Sequence, residues 1–239
     1  MIYKIADLIV EAQVDSRTLE RGKPYVYDGE STVDIDISIA PGSLETYKSK
    51  DRAYSFEDYE YMSLGSNFYK KLLDFNGMML HSSAVVVDDK AYLFSAASGT
   101  GKSTHTNFWL ELFGDRAYIL NDDKPAIRVL NDGIYAYGTP WSGKNNISAN
   151  KKVKIQAICI LKRDVINSIK PMEPQNAFLR IYHSTVKKLS QEQVLKSFEI
   201  INKIIKEIPI YELGCTPTIE AAKLSYDCMS KRGNSYENK

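Results

Sequence analysis

Cysteine is scarce in this chain, and neither sign of charge is in excess. Three cysteines, Cys159, Cys215 and Cys228, stand far apart with no CxxC pair. That spacing excludes a disulfide framework and a zinc-ligand cluster, and leaves reduced thiols partly in the core. Lys plus Arg number 31 against 30 for Asp plus Glu, a formal charge of +1. Such a balance gives no electrostatic reason to expect a nucleic-acid or acidic-lipid partner. No apolar run approaches the ~20 residues of a membrane span. The opening MIYKIADLIVEAQVD has no basic segment ahead of a long apolar one. A secretory signal is therefore not expected, and the expected location is cytoplasmic. Repeats and low-complexity tracts are absent too.

What is present is enough apolar residue, 44% of 239, for a full core in one domain or one domain with a small appendage. The alternation TVDIDISIA predicts short strands in a β-rich N-terminal segment, residues 1–62, packed on a core of residues 63–239. Between them, after the Pro41-Gly42 turn signal, the tyrosine-rich SLETYKSKDRAYSFEDYEYM reads as loop or short helix. Ser63 to Phe75 predicts a helix with Leu64, Phe68, Leu72 and Phe75 on one face. Ser83–Val87 and Ala91–Phe94 flank Asp88-Asp89-Lys90 as a hairpin. A helix is expected over Lys102–Phe113, stopped by Gly114. Ala117–Leu120 reads as a buried strand that ends in Asn121-Asp122-Asp123, and Ile127–Leu130 and Ile134–Tyr137 as a second hairpin. Ala157–Leu161 is a further strand, helices are expected over 191–206 and 217–230, and RGNSYENK reads as a frayed tail. Hairpins on both sides of a strand–loop–helix–strand centre predict an α/β fold with a mixed sheet, rather than an all-parallel one.

At that centre stands YLFSAASGTGKSTHTNFWL, residues 92–110. It follows the phosphate-loop pattern G-x-x-x-x-G-K-[ST], with Ala96 in place of the first glycine. In that pattern backbone N–H groups and a helix N-terminus converge on an anion. Gly99 and Gly101 supply backbone freedom. Lys102 would pair with the β- and γ-phosphates of ATP or another nucleoside triphosphate, and the Ser103 hydroxyl would bind Mg²⁺. Ser98, Thr100 and Thr104 complete the nucleotide-binding run.

Asp122-Asp123 follow an apolar strand about twenty residues later. One carboxylate could hold the metal as a Walker-B aspartate does, and the other accept a proton from the attacking hydroxyl; spacing alone does not say which. Asp88-Asp89 is the contrasting pair, read as a solvated turn. GTPWSGK, residues 138–144, could be a second phosphate-facing loop through Ser142 and Lys144, or an ordinary loop around a packed Trp141. Arg180 is a candidate phosphate or substrate contact. His81 precedes the first central strand. His105 reads as a packed or solvated helix residue, and the lysines of KKVK, 151–154, as strand-edge decoration.

The run LHSSAVVVDDKAYLFSAASGTGKST…AYILNDDKPAI resembles the catalytic domain of HPr kinase/phosphorylase. It is similar above all to smaller HPr-kinase-like proteins of gene clusters for ribosomally made peptides, lasso-peptide kinases among them. The resemblance runs from His81 to Lys144. It implies a P-loop core of the type shared with ATP-dependent phosphoenolpyruvate carboxykinases, use of ATP and Mg²⁺, and a homo-oligomer. It also implies catalytic roles for His81, Lys102 and Asp123, the last as general base, with Ser103 and Asp122 left for the metal. The implied partner is a peptide or small-protein substrate phosphorylated on serine. Two features of the HPr enzyme have no counterpart here, its E-[IV]-R-G-like segment and its arginine-containing segment. Phosphorylase activity and HPr as substrate are therefore not carried over.

Overall fold

The computed structural model describes residues 1–13, 16–39 and 55–231. The Pro41-Gly42 turn and the RGNSYENK tail lie outside the described residues. Among them no helix is long and apolar enough to cross a membrane.

The protein is a mixed α/β structure. Strands β1 (Ile2–Ile5), β2 (Leu8–Glu11) and β3 (Ile35–Asp36) form a small sheet, with helix α1 (Ser16–Gly22) between β2 and β3. A second, nine-stranded sheet holds β4 (Gly77–Met79), β5 (Ser82–Val87), β6 (Lys90–Ser95), β7 (Ala117–Asn121), β8 (Ala126–Leu130), β9 (Gly133–Tyr137), β10 (Lys152–Arg163), β11 (Ser168–Pro171) and β12 (Ile210–Cys215). Its helices are α2 (Phe56–Lys71), α3 (Lys102–Phe113), α4 (Pro174–His183), α5 (Gln191–Glu207) and α6 (Ile219–Met229).

Both expected hairpins form, β5–β6 and β8–β9. At the first, Asp88 and Asp89 take φ of 49° and 59°, the left-handed pair that a two-residue hairpin turn needs. Helix α3 has the bounds expected for it, and Gly114 ends it at φ 53°. The sheet is mixed: β6 pairs antiparallel with β5 and parallel with β10. Strand β10 is twelve residues long and central. One of its edges pairs β6, while the other pairs β9 at Lys152–Lys154 and then β12 from Ile158 to Arg163. The KKVK lysines thus open an interior strand, which corrects the strand-edge expectation. Their charges are met by neighbours: Lys152 Nζ lies 4.3 Å from the centre of the Tyr135 ring and 3.3 Å from Asp7 Oδ2.

Alternation along the central strands loads both faces with apolar residues. Ala84, Val86, Leu93, Ile158 and Ile160 pack on one face with Ala177 and Ile181 of α4 and Ile200, Ile201 and Ile204 of α5. Val85, Tyr92, Phe94, Ala157, Cys159 and Leu161 pack on the other with Trp109 of α3 and Ala222 of α6. A third cluster joins Tyr3, Val10 and Ile35 of the small sheet to Leu64, Phe68 and Tyr69 of α2 and to Trp141.

Helix α2 starts seven residues before the expected Ser63. The Ser55 side chain caps it by accepting from the Asp58 N–H, and Glu57 and Asp58 fill the acidic first turn. Residue 62 therefore lies inside a helix. The expected helix end at Phe75 is met by a 3-10 turn over Leu72–Phe75.

Trp141 is fully enclosed, stacked 5.1 Å from Phe68 and donating its indole N–H to the Tyr61 carbonyl at 3.0 Å. Gly65 leaves the space for it, since a Cβ there would lie 2.7 Å from the indole. Trp141→Ala is expected to lower unfolding free energy by about 3–5 kcal/mol in urea denaturation, the usual cost of emptying a buried aromatic site. A loss below about 1 kcal/mol would show that this cluster does not hold the N-terminal sheet to α2.

Candidate active site

Three segments reach one end of the large sheet because of how β5 is paired. Ser82, its first residue, lies opposite Ser95, the last of β6, and Ala84 lies opposite Asn121, the last of β7. His81, the glycine loop of residues 96–101 and Asp122-Asp123 are therefore neighbours.

In the loop, Gly99 and Gly101 take φ of +77° and +113°, which side chains rarely adopt. A Cβ would meet nothing within 4 Å at Gly99 and only the Thr104 Cβ at 4.0 Å at Gly101, so conformation rather than crowding calls for glycine there. Ala96 takes no positive φ, so alanine at that position carries no strain. Lys102, the first residue of α3, is buried, and its ammonium donates to the Ala96 carbonyl at 3.2 Å. Burial lowers its pKa, against the pull of the Asp123 and Asp122 carboxylates. The described residues thus offer a buried cation one hydrogen-bond partner, an arrangement that favours an added anion.

The aspartate turn is shaped by Asn121, which is fully buried. Its Oδ1 accepts from the N–H groups of Asp123 (3.0 Å) and Lys124 (2.7 Å), and its Nδ2 donates to the Thr139 carbonyl (3.0 Å). Asp122 is buried between neutral donors: Ser83 Oγ reaches Oδ1 at 2.7 Å and Asn145 Nδ2 reaches Oδ2 at 3.1 Å. His81 Nε2 lies 3.1 Å from Asp123 Oδ1, and Lys124 pairs with Oδ2. Burial raises the Asp123 pKa, but the His81 hydrogen bond and the Lys124 ammonium outweigh it and leave the group at about 2. The other pair behaves as the contrast requires: Asp88 is exposed at its turn and meets Arg116.

A cavity of about 620 Å³ opens on the α4 side of the loop, lined by His81, Ala96, Thr100, Arg180, His183 and Arg163 among others. Another, of about 410 Å³, lies on the α3 side against Gly99, Thr104, Leu161, Arg163 and Pro217. Thr100, Leu161 and Arg163 line both. Together they form a crevice at the carboxyl ends of β6 and β10, where open α/β sheets hold ligands.

The model of the family described as "SynChlorMet cassette protein ScmC" matches residues 55–219. The chain belongs to this ScmC family. No curated protein matches it. Among solved structures it is similar to the Hpr(Ser) kinase/phosphatase from Coxiella burnetii, at 10% identity over 64% of this chain and 88% of that one, with a TM-score of 0.36.

In this ScmC family member the 138–146 segment touches the aspartates through Gly143 and through Asn145, the second of which the sequence reading did not name. Gly143, at φ +75°, packs so closely on Asp123 that a Cβ there would lie 2.8 Å from the Asp123 Cβ. Asn145 supplies the bond to Asp122. Ser142 instead is buried, donates to Asn146 Oδ1 at 3.3 Å and lines a small cavity beside Arg21 and Tyr25. Lys144 is exposed on the turn. Neither makes a hydrogen bond to Asp122 or Asp123 among the described residues. Arg21 of α1 braces the turn by donating to the Gly143 carbonyl at 2.6 Å while its guanidinium sits over the Tyr61 ring. YSFEDYEY, part of the stretch read as loop or short helix, is over its described residues the start of α2.

Of the two environments open to His105, packed or solvated, the structure shows the packed one. Its Nε2 lies 3.1 Å from Ser225 Oγ, and its ring contacts Phe94. Burial lowers its pKa to about 4. The unfolded chain takes up this proton near pH 6.5 and the folded chain only near 4, so stability falls as pH drops between those values. His105→Gln is expected to remove a contribution on the order of 3 kcal/mol from the pH 7-to-4 difference in urea unfolding free energy. An unchanged difference would contradict a buried neutral imidazole.

Proposed function

We propose that this protein is an ATP- and Mg²⁺-dependent kinase that phosphorylates a hydroxyl, in the first instance serine, of a peptide or small protein such as a lasso or other ribosomally made precursor peptide. On this reading its core is a P-loop fold of the HPr kinase and phosphoenolpyruvate carboxykinase type. The observation that carries the proposal is the meeting of Lys102 and the glycine loop with Asp122, Asp123 and His81 at one end of β5, β6 and β7. The sequence resemblance from His81 to Lys144 supports the same roles.

The desolvated Lys102 and the loop N–H groups bind the β- and γ-phosphates, with the amino end of α3 adding its partial positive charge. Asp122 and Ser103 are the residues that would hold Mg²⁺. Among the described residues no group of three acidic, His or Cys side chains could hold a metal ion. This suits an ion that keeps several waters and takes its remaining oxygens from phosphates. When bound, it supplies neutralisation of charge on the phosphate oxygens. Asp123, ionised at neutral pH, takes the acceptor proton. Its Oδ1 is shared with His81, yet a carboxylate has lone pairs to spare for a hydroxyl. His81 lines the α4-side cavity and orients the hydroxyl there. A loose phosphoryl-transfer transition state needs mainly positioning and charge stabilisation, so this small set suffices.

One observation favours a small-molecule acceptor as second reading: about 620 Å³ is room for a small ligand as much as for one residue of a peptide. Incubation with Mg-ATP and either candidate precursor peptides or free hydroxy amino acids, read by mass spectrometry for an added phosphate, separates the two. Asp123→Asn is expected to keep ATP affinity and lose transfer by about 10²–10⁴-fold. Lys102→Ala is expected to weaken ATP binding at least about tenfold. Normal transfer by Asp123→Asn would overturn the base assignment. Tight ATP binding with no phosphorylated product from either acceptor class would make the protein a nucleotide-binding regulatory module.

A further inference from the structure

Arg163 has no part in the resemblance and no motif marks it, but the sheet delivers it to the glycine loop. Strand β10 pairs with β6 only as far as Ile160 opposite Ser95, and then continues to Arg163. Those three extra residues extend about 10 Å past the end of β6, level with the loop that leaves it. Alternation decides which cation faces which side. Cys159 and Leu161 pack on the α3 face, Ile158 and Ile160 on the α4 face, so Arg163 falls on the α3 side and Lys162 on the other. Accordingly Arg163 lines both cavities, whereas Lys162 lines only the one on the α4 side.

The guanidinium Nη2 donates to the Gly99 carbonyl at 2.6 Å, at the middle of the loop. The nearby carboxylates are engaged by other cations: Asp164 by Lys162, and Glu212 by Lys162 and Lys170. Among the described residues Arg163 has no carboxylate partner. It is therefore a fork of five donors, one of them resting on a loop carbonyl, in a place where the neighbouring backbone is arranged for an anion. The two cavities share only Thr100, Leu161 and Arg163, so a phosphate chain running from the α3 side to the acceptor side passes beside this side chain. A second cation beside Lys102 would matter most for the outermost phosphate, which carries the most charge.

We propose that Arg163 binds the terminal phosphate of the nucleoside triphosphate, moving a donor from the Gly99 carbonyl to a γ-phosphate oxygen, and so makes the site prefer triphosphate to diphosphate. This rests on the nucleotide-binding half of the proposed function and not on the identity of the acceptor.

The test is isothermal titration of the full chain with the non-hydrolysable triphosphate AMP-PNP and with ADP, each with Mg²⁺, for the wild type, Arg163→Ala and Arg163→Lys. Arg163→Ala is expected to weaken AMP-PNP binding at least about tenfold while changing ADP binding less than about threefold. Arg163→Lys should fall between, because a point charge replaces the fork. Equal loss for both nucleotides would show that Arg163 only shapes the loop through Gly99, and no loss for either would show that it does nothing here; each overturns the inference. A wild type that binds neither nucleotide overturns it together with the proposed function. Triphosphate preference that depends on Arg163, in a protein that phosphorylates no acceptor, would leave the inference standing and sink the kinase reading alone.

Discussion

The double pairing of β5 is the constraint on which the site depends. Because β5 runs antiparallel to both β6 and β7, its first residues lie beside the last residues of both neighbours. One short strand thereby sets the glycine loop on one side of His81 and the aspartate turn on the other. Ser83, the second residue of β5, ties this arrangement together by reaching Asp122 at 2.7 Å and lying 2.9 Å from Thr106 of α3. A slip of one residue in β5 would turn Ser83 to the opposite face and break that link.

Charge at this end of the sheet is distributed unevenly for a chain that is nearly neutral overall. Lys102 is buried close to two carboxylates without pairing with either, while Asp122 is held by a hydroxyl and an amide rather than by a cation. No cation pairs with Asp122 among the described residues, and in a low-dielectric setting a carboxylate so placed is worth most to an added counter-ion. Asp123 differs, since His81 and Lys124 hold it ionised. The two adjacent carboxylates thus have distinct surroundings, which is what a division of roles between them requires.

How much of this could be read from the sequence follows from how local each signal is. The β5–β6 hairpin, α3 and its stop at Gly114 were legible because Asp88-Asp89 and Gly114 act on their own backbone. Lys102 and Asp122-Asp123 were legible through motif and order along the chain. The start of α2 was missed although its cap signal, Ser55 with acidic residues at 57 and 58, was there to be read; the aromatic content of YSFEDYEY obscured it. Other residues depend on distant pairing and left no trace in any local window. Arg163 reaches the loop because β10 outruns β6, Asn145 meets Asp122 because Trp141 anchors its loop on α2, and Arg21 arrives from helix α1 of the N-terminal part. Of the two readings of GTPWSGK, the packed Trp141 is the part the structure bears out, and that tryptophan fixes which residues of the loop turn inward.

A crystal structure of the protein soaked or grown with Mg²⁺ and AMP-PNP would test most directly whether β5 brings donor and acceptor groups to one point. The account predicts the triphosphate along the loop of residues 96–101, with its terminal phosphate between Lys102 and the His81–Asp123 pair and its nucleoside in the α3-side cavity. A nucleotide bound elsewhere, or one whose terminal phosphate points away from His81 and Asp123, would contradict it.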